Sequence, residues 1–337
     1  MKRGVLVSGG AGYVGSHVVR RLVEAGRNVV VVDNLETGHP EALQGAALSV
    51  GDIRDSSLLD EVIARYDVGS ALHFAGYKNP GDSVLAPAQY FGTNVNGSLV
   101  FLDALERGGV DRVVFSSSCA IYGTPRSLPI SESAPLRPDS PYGESKKIVE
   151  QMLGWFDACT GTRSVSLRYF NAAGAALDGS TGEDWSQTSN LIPVAMKAAL
   201  GAGPPVRIFG NDYPTRDGTA VRDYVHVLDL VDAHVGALEY LEAGGSTVAL
   251  NLGTGRPSSV LEVRDEIGRV GSRRPPVEWA DRRRGDPAVV YADSSLATET
   301  LGWKARYGMD EIIQSAWRWH STNPHGYDRY ALAQQYA

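Results

Sequence analysis

The sequence has few cysteines, no long apolar run and no excess of positive charge. Its two cysteines, Cys119 and Cys159, cannot form a disulfide framework and lack the spacing of metal ligands. We therefore expect both to lie inside as reduced thiols, as in a cytoplasmic protein, and we expect no metal site. No run of about 18 apolar residues occurs, so no membrane span is predicted. The net charge of −7 gives no sign of a general affinity for nucleic acid.

The composition is that of an ordinary soluble globular protein, with 43% hydrophobic and 21% charged residues. A chain of 337 residues is long enough for a large core in one or two closely joined domains. The first residues run straight into an apolar strand pattern without a cleavable apolar leader, so we expect no signal peptide. Residues 328–337 have the composition of a loosely held tail.

The chain opens with a strand pattern, a glycine-rich turn and a helix pattern. Residues 5–7 are apolar, Gly9, Gly12 and Gly15 follow, and a helical pattern then continues to about residue 25. A second apolar run, residues 28–32, ends in Asp33. The glycines permit a tight turn and close approach to a pyrophosphate, and the helix N-terminus favours phosphate charge. This order of elements predicts a dinucleotide-binding site.

Asp33 indicates which dinucleotide binds. Its carboxylate can accept hydrogen bonds from the adenosine ribose hydroxyls and would repel a 2′-phosphate. Asn34 and Leu35 follow, so no arginine stands where a 2′-phosphate would need one. The sequence therefore predicts NAD rather than NADP.

The alternation of strands and helices continues along the chain. Strand patterns occur at residues 47–50, 71–74, 110–115 and 164–169, with helix patterns near 57–66, at 83–107 with an interruption at Pro87, and from Tyr142 onward. This order predicts an α/β fold with a doubly wound, Rossmann-like parallel sheet. Ligands bind at the carboxyl edge of such a sheet, where Asp52 and Lys78 follow strand patterns.

Two further features of this edge have competing interpretations. His73 lies within a strand pattern and is expected to be structural rather than catalytic. Ser116, Ser117 and Ser118 stand at the end of another strand pattern. Their hydroxyls could bind a substrate or merely satisfy the turn backbone.

Residues 140–146, Ser-Pro-Tyr-Gly-Glu-Ser-Lys, have the features of a helix start. Pro141 suits the first helical turn, and the Ser140 hydroxyl can cap it. Tyr142 and Lys146 would then share one helix face. A nearby ammonium favours phenolate and lowers a tyrosine pKa that is about 10 when unperturbed. A tyrosine with such a pKa can act as a general base near neutral pH.

These motifs together resemble a known family. The glycine turn 9–15, Asp-Asn at 33–34, Gly-Asp-Ile-Arg at 51–54, His-Phe-Ala-Gly at 73–76, Asn-Val-Asn-Gly at 94–97 and Tyr142 with Lys146 resemble the extended short-chain dehydrogenase/reductases. The motifs at 168–171, 208–215, 217–219, 221–227 and 284–286 resemble, more specifically, the UDP-glucose/UDP-galactose 4-epimerase family. The likeness extends from about residue 5 to residue 327.

The resemblance implies roles for individual residues. Tyr142 matches the catalytic base, Lys146 the lysine that tunes it and binds the nicotinamide ribose, and Ser118 the serine that hydrogen-bonds O4 of the sugar. Besides Tyr142 and Lys146, the implied NAD-binding residues are Gly9, Gly12, Tyr13, Val14, Gly15, Asp33, Asn34, Asp52, Ile53, Phe74, Ala75, Lys78, Asn94, Ser116 and Tyr169. Besides Ser118 and Tyr142, the implied substrate-binding residues are Asn171, Asn190, Leu191, Arg207, Phe209, Arg222, Tyr224, Arg284, Asp286 and Val290.

The substrate implied by the resemblance is a UDP-hexose. Arg222 and Arg284 would clamp its diphosphate, since a guanidinium binds such oxygens bidentately. Phe209 would pack on uracil, and Asp286 would lie near the uridine ribose. Three consecutive arginines, 282–284, favour a diphosphate site over a nucleic-acid patch in this acidic chain.

The implied activity is NAD-dependent 4-epimerisation of UDP-glucose and UDP-galactose. Tyr142 would take the proton of the 4-hydroxyl while C4 gives a hydride to NAD. The 4-keto sugar would then turn within the site and take the hydride back on its other face. NAD would be regenerated in each cycle and not consumed.

Other activities are open on the same resemblance. Related sugar dehydratases carry acidic residues where Cys119 and Ala120 stand, and related decarboxylases carry a glutamate at the position of Ala120, which makes both activities less favoured. A non-enzymatic NAD-binding sensor would be expected to lose Tyr142 or Lys146. A UDP-glucuronate 4-epimerase is an alternative because the loop 172–189 departs from the family pattern.

Val290 aligns with the residue that gates the space beside C2 of the hexose in this family. A common bacterial type has tyrosine there, and valine leaves more space. The resemblance therefore implies that UDP-N-acetylhexosamines are also accepted.

The resemblance also implies a homodimer joined by the helices near 83–107 and 142–160. We expect an NAD-binding domain formed by residues 1–171 with about 220–257. A smaller mixed nucleotide-sugar-binding domain would comprise about 172–219 with 258–327.

Overall fold

Seven parallel strands form the central sheet of the protein. The structure is a computed structural model, and it describes residues 3–186, 188–283 and 285–327. In chain order, the strands of the central sheet and of the smaller sheets are β1 Gly4–Ser8, β2 Val29–Asp33, β3 Ala47–Val50, β4 Val68–His73, β5 Arg112–Ser118, β6 Arg163–Tyr169, β7 Asn171–Ala173, β8 Val206–Phe209, β9 Val221–Arg222, β10 Tyr224–His226, β11 Val248–Leu252, β12 Ser258–Ser259, β13 Val277–Ala280 and β14 Val289–Val290. The central sheet has the order β11-β6-β5-β4-β1-β2-β3. This order confirms the predicted doubly wound α/β fold.

Helices cover both faces of this sheet. They are α1 Tyr13–Glu24, α2 Ser56–Arg65, α3 Pro80–Leu85, α4 Pro87–Tyr90, α5 Ser98–Arg107, α6 Pro141–Thr160, α7 Leu191–Ala199, α8 Val227–Glu242, α9 Val260–Gly271, α10 Ser295–Leu301 and α11 Met309–Thr322. Along β1, Val5 and Val7 pack in one core with α1 and α8, whereas Leu6 packs in a second core with α2 and α5. Successive strand residues face opposite sides, so a strand that is apolar throughout needs cover on both.

The smaller sheets lie in the second half of the chain. β7 pairs with β10, β8 pairs with β13, and β9 lies between β12 and β14. A third core packs α7, α9 and α11 together through Met196, Ile267 and Ile312. These short strands carry several of the predicted substrate-binding residues, including Asn171, Phe209 and Arg222.

The helical region predicted over 83–107 is interrupted at Pro87, as predicted, but it also contains a π-helical segment that was not predicted. Ala86 has φ −132° and ψ 55°, because the ring of Pro87 disfavours helical backbone in the preceding residue. A π-helical segment, Phe91–Gly97, then precedes α5. This segment contains the predicted cofactor residue Asn94, which is 2% exposed.

Some smaller expectations also differ from the structure. Cys159 is exposed because it lies in the last turn of α6, so the expectation that both cysteines lie inside is wrong for it. Cys119 is half-buried, and both are free. The predicted tail, 328–337, lies outside the described residues. In the described part of the chain, none of the helices is both long and apolar enough to span a bilayer.

The fold buries five of the seven histidines. Burial lowers the pKa of His17, His234 and His320 to about 4, and that of His73 and His226 to about 3. His73 lies between the hydroxyls of Ser8 and Ser98, at 2.6 and 2.7 Å, which agrees with the structural role predicted for it.

These histidines predict a protein that loses stability in mild acid. An unfolded histidine has a pKa of about 6.5, so below that pH the unfolded chain binds more protons than the folded chain. Stability should be full above about pH 6.5 and should fall as the pH drops toward 5. Thermal melting followed by circular dichroism should show a Tm several degrees lower at pH 5.5 than at pH 7.5. An unchanged Tm over this range would contradict the burial of neutral histidines.

Candidate active site

The start of α6 is built as its sequence predicts. The Ser140 hydroxyl accepts a hydrogen bond from the Gly143 N–H at 3.2 Å, and Pro141 occupies the first turn. Tyr142 and Lys146 are 8% and 5% exposed, and Lys146 Nζ lies 6.0 Å from the centre of the Tyr142 ring. The structure therefore confirms that the two residues share one helix face.

Lys146 joins α6 to the carboxyl end of β5. Its Nζ donates a hydrogen bond of 2.9 Å to the Ser116 carbonyl oxygen and lies 4.9 Å from the centre of the Phe115 ring. Burial lowers the pKa of Lys146 to about 8, and the negative charge of Glu150 opposes this change. A buried ammonium loses hydration, and the carbonyl and the ring face replace only part of it.

Tyr142 differs from the sequence-based expectation in its acidity. Burial raises the pKa of the Tyr142 phenol well above its ordinary value, and a hydrogen bond from Ser118 opposes this change. The lowering of this pKa that was expected from a nearby ammonium is not seen in the structure, because loss of hydration raises the pKa of the phenol. The geometry nevertheless brings Ser118, Tyr142 and Lys146 together, as predicted.

The glycine turn after β1 has the shape that a dinucleotide needs. Gly9 has a φ of +69°, and a Cβ there would lie 2.5 Å from the Ala75 backbone nitrogen. A Cβ on Gly15 would lie 2.5 Å from the Gly9 carbonyl oxygen. The N-terminus of α1 begins after Gly12, and no described side chain caps it, so its first N–H groups face the turn. These features fit a pyrophosphate on the helix N-terminus.

Asp33 ends β2 beside this turn. Its carboxylate accepts hydrogen bonds of 2.9 Å from the backbone N–H groups of Ala11 and Leu35. It therefore holds the glycine turn against the loop that follows β2, a role that the sequence pattern did not predict. Asn34, beside it, is exposed.

The other predicted cofactor residues lie along the same edge of the sheet. Ser116 and Tyr169, at the ends of β5 and β6, join their hydroxyls at 2.5 Å. Asp52 pairs with Arg54 at 2.6 Å, and the hydrogen bonds from Arg54 lower the pKa of that carboxyl. Tyr13 donates a hydrogen bond of 2.6 Å to the Gly174 carbonyl, which connects α1 to the loop after β7. The remaining predicted cofactor residues on this edge are Val14, Ile53, Phe74 and Ala75.

The predicted sugar-nucleotide residues lie on the short strands. Arg222 forms a close ion pair with Asp286 and stands opposite Val290 in the β9–β14 pairing. Asn171 donates a hydrogen bond of 2.9 Å from its side chain to the Asp223 carbonyl, and it stands opposite Tyr224 in the β7–β10 pairing. Strand pairing thus gathers residues that are distant in sequence.

Two arginine guanidinium groups lie over the aromatic ring of Phe209, at the end of β8. The guanidinium of Arg283 lies 3.8 Å from the ring centre, and that of Arg207 lies 5.4 Å away. The family motifs predict Arg207 and Arg284 at the substrate but do not single out Arg283, which lies within the arginine triplet 282–284. Arg284 lies outside the described residues.

Lys78 and Asn190 meet at a residue that the sequence analysis missed. Glu183 is 5% exposed, and its Oε1 accepts hydrogen bonds from Lys78 Nζ at 3.0 Å, Asn190 Nδ2 at 2.8 Å and Thr188 Oγ1 at 2.9 Å. Leu191 begins α7 next to Asn190. No family motif used in the sequence analysis contained Glu183. Gln187, in the divergent loop, lies outside the described residues.

Comparison with known proteins gives a consistent result. The model of the NAD dependent epimerase/dehydratase family matches residues 5–253. The chain is 48% identical over 322 residues to a UDP-glucose 4-epimerase of Rhizobium meliloti, covering 96% of this chain and 98% of the relative. The structure of UDP-glucose 4-epimerase from Brucella ovis in complex with NAD is similar, with a TM-score of 0.92, 45% identity and coverage of 94% and 98%. The UDP-Glc/GlcNAc 4-epimerase of Campylobacter jejuni has a TM-score of 0.84, 33% identity and coverage of 95% and 100%.

The buried charge of Lys146 predicts a stability cost. Its folded pKa of about 8 lies below the unfolded value of 10.5, so the folded state disfavours the charged form. This cost is full below about pH 8 and disappears as the pH rises through 10.5. In protein freed of nucleotide, Lys146→Met should therefore raise the Tm at pH 7, and the gain should shrink above pH 8.

The matched control is Lys147→Met, on the next residue of the same helix, which is only half-buried. It should give no gain that depends on pH in this way. A Tm for Lys146→Met that equals or falls below that of the parent at pH 7 would contradict the predicted cost.

Proposed function

This chain belongs to the NAD dependent epimerase/dehydratase family and, within it, to the UDP-glucose 4-epimerases, and on that premise we propose that it interconverts UDP-glucose and UDP-galactose through residues at the end of β5 and the start of α6. The observation that carries the site assignment is the convergence of Ser118, Tyr142 and Lys146 at the carboxyl edge of the sheet. The Ser118 hydroxyl lies close enough to the phenol to lower its pKa, and Lys146 Nζ lies 6.0 Å from the centre of the Tyr142 ring.

When bound, NAD would supply the acceptor and donor for the hydride of C4, and its oxidised nicotinamide would supply positive charge that favours the phenolate. Tyr142 removes the proton of the 4-hydroxyl and gives it back after the 4-keto sugar has turned. Ser118 holds O4 and the phenol in one hydrogen-bonded line. Lys146 supplies a fixed positive charge, which favours the phenolate that burial alone disfavours.

The residues next to Ser118 favour epimerisation over elimination of water. The short helix Cys119–Tyr122 follows directly, and it carries no acid. Burial raises the pKa of the Cys119 thiol to about 12, so this thiol is too weak an acid to donate a proton near neutral pH. The 4-keto sugar therefore meets no general acid at Cys119 or Ala120. Return of the hydride is then the step that completes the cycle.

The UDP part is assigned to the cationic side of the site. We propose that Arg222 and Arg283 bind the diphosphate and that the ring of Phe209 packs on uracil. In the structure these groups pair with Asp286 or with each other, so binding exchanges internal partners for those of the ligand. We assign Arg284 to the same group from its motif. The sugar-nucleotide domain would comprise about 172–219 with 258–327.

We extend the proposal to UDP-N-acetylhexosamines. Val290 is 8% exposed and packs in a cluster with Phe170 and Ile121. Ile121 lies two residues after Cys119. Its small side chain leaves room for an N-acetyl group at C2 of the sugar. The similar Campylobacter jejuni protein is named for both glucose and N-acetylglucosamine substrates.

We also propose that the protein works as a homodimer in the cytoplasm. Exposed apolar side chains lie on α3, α5 and α6, and α6 packs against both α3 and α5. These residues are Val84 at 61%, Leu85 at 86%, Leu99 at 45% and Trp155 at 71% exposure. Large exposed apolar patches mark protein interfaces. The two free cysteines suit a reducing compartment.

Removal of the phenolic hydroxyl tests the chemistry. Tyr142→Phe should reduce kcat for UDP-galactose by about two to four orders of magnitude, because general-base catalysis contributes about 10²–10⁴-fold. Bound NAD, measured by its absorbance after denaturation, and the circular dichroism spectrum should stay at parent levels. Near-parent turnover would rule out Tyr142 as the base.

Adding bulk at residue 290 tests the substrate range. The parent protein should turn over UDP-N-acetylglucosamine, and Val290→Tyr should lower kcat/KM for it at least about tenfold, as loss of fit in a pocket does. Turnover of UDP-glucose by the same variant serves as the internal control and should change only a few-fold. Equal losses for both substrates, measured by chromatography of the products, would contradict the proposed gate.

Charge on the exposed helix face tests the homodimer. Trp155→Glu should shift the molar mass measured by light scattering toward that of one chain. Trp279→Glu is the matched control, because Trp279 is also exposed, at 48%, but lies on β13. The assignment of this face fails if Trp155→Glu leaves a dimer intact.

A further inference from the structure

Glu150 lies one helical turn beyond Lys146 in α6 and has no role in the steps described above. Its side chain is 9% exposed, which is unusual for a carboxylate. The Ser117 hydroxyl donates a hydrogen bond of 2.5 Å to Glu150 Oε1. Arg168 binds both carboxylate oxygens, with its Nε at 3.0 and 3.2 Å and a terminal nitrogen at 2.5 Å.

This carboxylate connects the three elements that form the catalytic edge. Ser117 lies on β5 between Ser116, whose carbonyl holds Lys146, and Ser118, which meets Tyr142. Arg168 lies on β6, and Glu150 itself lies on α6. A bidentate arginine pair fixes the geometry of both partners. Glu150 therefore fixes the distance between the helix that carries the phenol and the strand that carries its partners.

The arginine is itself held from the other side. Its remaining nitrogen donates 2.9 Å to the Tyr122 hydroxyl, which in turn donates 2.7 Å to Asn251 Oδ1. Arg168 is 6% exposed, so little water reaches the network. Buried networks of this kind are rigid when their groups are satisfied.

Glu150 also carries a negative charge near a buried ammonium. The groups that face Lys146 are the Tyr142 phenol and Glu150 from α6, the Ser116 carbonyl and Phe115 ring from β5, and neutral His73 from β4. Among the described residues, Glu150 is the anion whose negative charge acts on the Lys146 ammonium. Residues four apart in a helix have Cβ atoms about 6 Å apart, a distance at which one charge changes another's ionisation.

We propose that Glu150 is a positioning residue for the catalytic pair, fixing α6 on β5 and β6 through Ser117 and Arg168 and holding a negative charge one helical turn from Lys146. This proposal rests on the roles of Tyr142 and Lys146 proposed above. Loss of the negative charge should make Lys146 release its proton at lower pH. Loss of the geometry should reduce kcat more than it changes KM, since Glu150 does not contact the substrate.

The test uses Glu150→Gln, which keeps the shape of the side chain and removes its charge. The matched control is Glu144→Gln, on the same helix, where Glu144 pairs with Lys147 at 3.2 Å and is 39% exposed. The chain has six lysines, so ¹³C-lysine labelling resolves Lys146 by NMR, with Lys146→Arg identifying its signal. This readout does not depend on epimerase activity, so it separates a failure of this proposal from a failure of the proposed function.

In Glu150→Gln, the Lys146 signal should titrate about one pH unit lower, and the alkaline limb of the kcat profile should move with it. Glu144→Gln should leave both unchanged. A uniform loss of kcat with an unshifted Lys146 titration would overturn the proposal, because a purely structural clamp predicts that result.

A second variant covers the case in which Glu150→Gln does not fold with Arg168 left unpaired. Glu150→Gln combined with Arg168→Met removes both charges, and replacing a buried pair by neutral residues is often tolerated. Its Lys146 titration should shift in the same direction by a smaller amount, because Arg168 no longer adds its own positive charge. A folded double variant with the parent titration would equally overturn the proposal.

Discussion

The buried ammonium of Lys146 is the charge on which the rest of the site depends. A cation 5% exposed must find an acceptor, and the Ser116 carbonyl at the end of β5 provides it at 2.9 Å. That hydrogen bond holds α6 against the carboxyl edge of the sheet, the edge at which the glycine turn follows β1. The phenol, the glycine turn and Ser118 are therefore positioned by this contact and by the parallel strand order.

Charge compensation recurs on the substrate side. Arg222 pairs with Asp286, Lys78 with Glu183, and Arg283 lies on the ring of Phe209. Cations are costly when unpaired and partly buried, so the fold gives them internal partners. In the proposed function, a UDP-sugar takes the place of some of these partners with its own phosphates and base. The same principle governs Arg168, whose partner Glu150 remains in place throughout the cycle.

The sequence predicted the elements and most of the site because the motifs have local physical causes. Gly9 and Gly15 predict a turn in which a Cβ atom would clash, and Ser140 with Pro141 predicts the start of α6. What could not be predicted depends on contacts between distant residues. Glu183 and Arg283 acquire their roles only when the loops fold together, and the high pKa of Tyr142 follows from burial that no local pattern encodes. The break at Pro87 was visible, but the π-helical segment after it was not.

The central claim is that the protein inverts C4 by moving a hydride out and back within a closed site. The most direct test follows UDP-glucose that carries deuterium at C4, incubated with the enzyme in ordinary water without added NAD. The account predicts that the UDP-galactose formed retains the deuterium at C4, as measured by mass spectrometry and NMR. Loss of the deuterium to solvent would contradict it, because the bond at C4 would then be broken by removal of a proton.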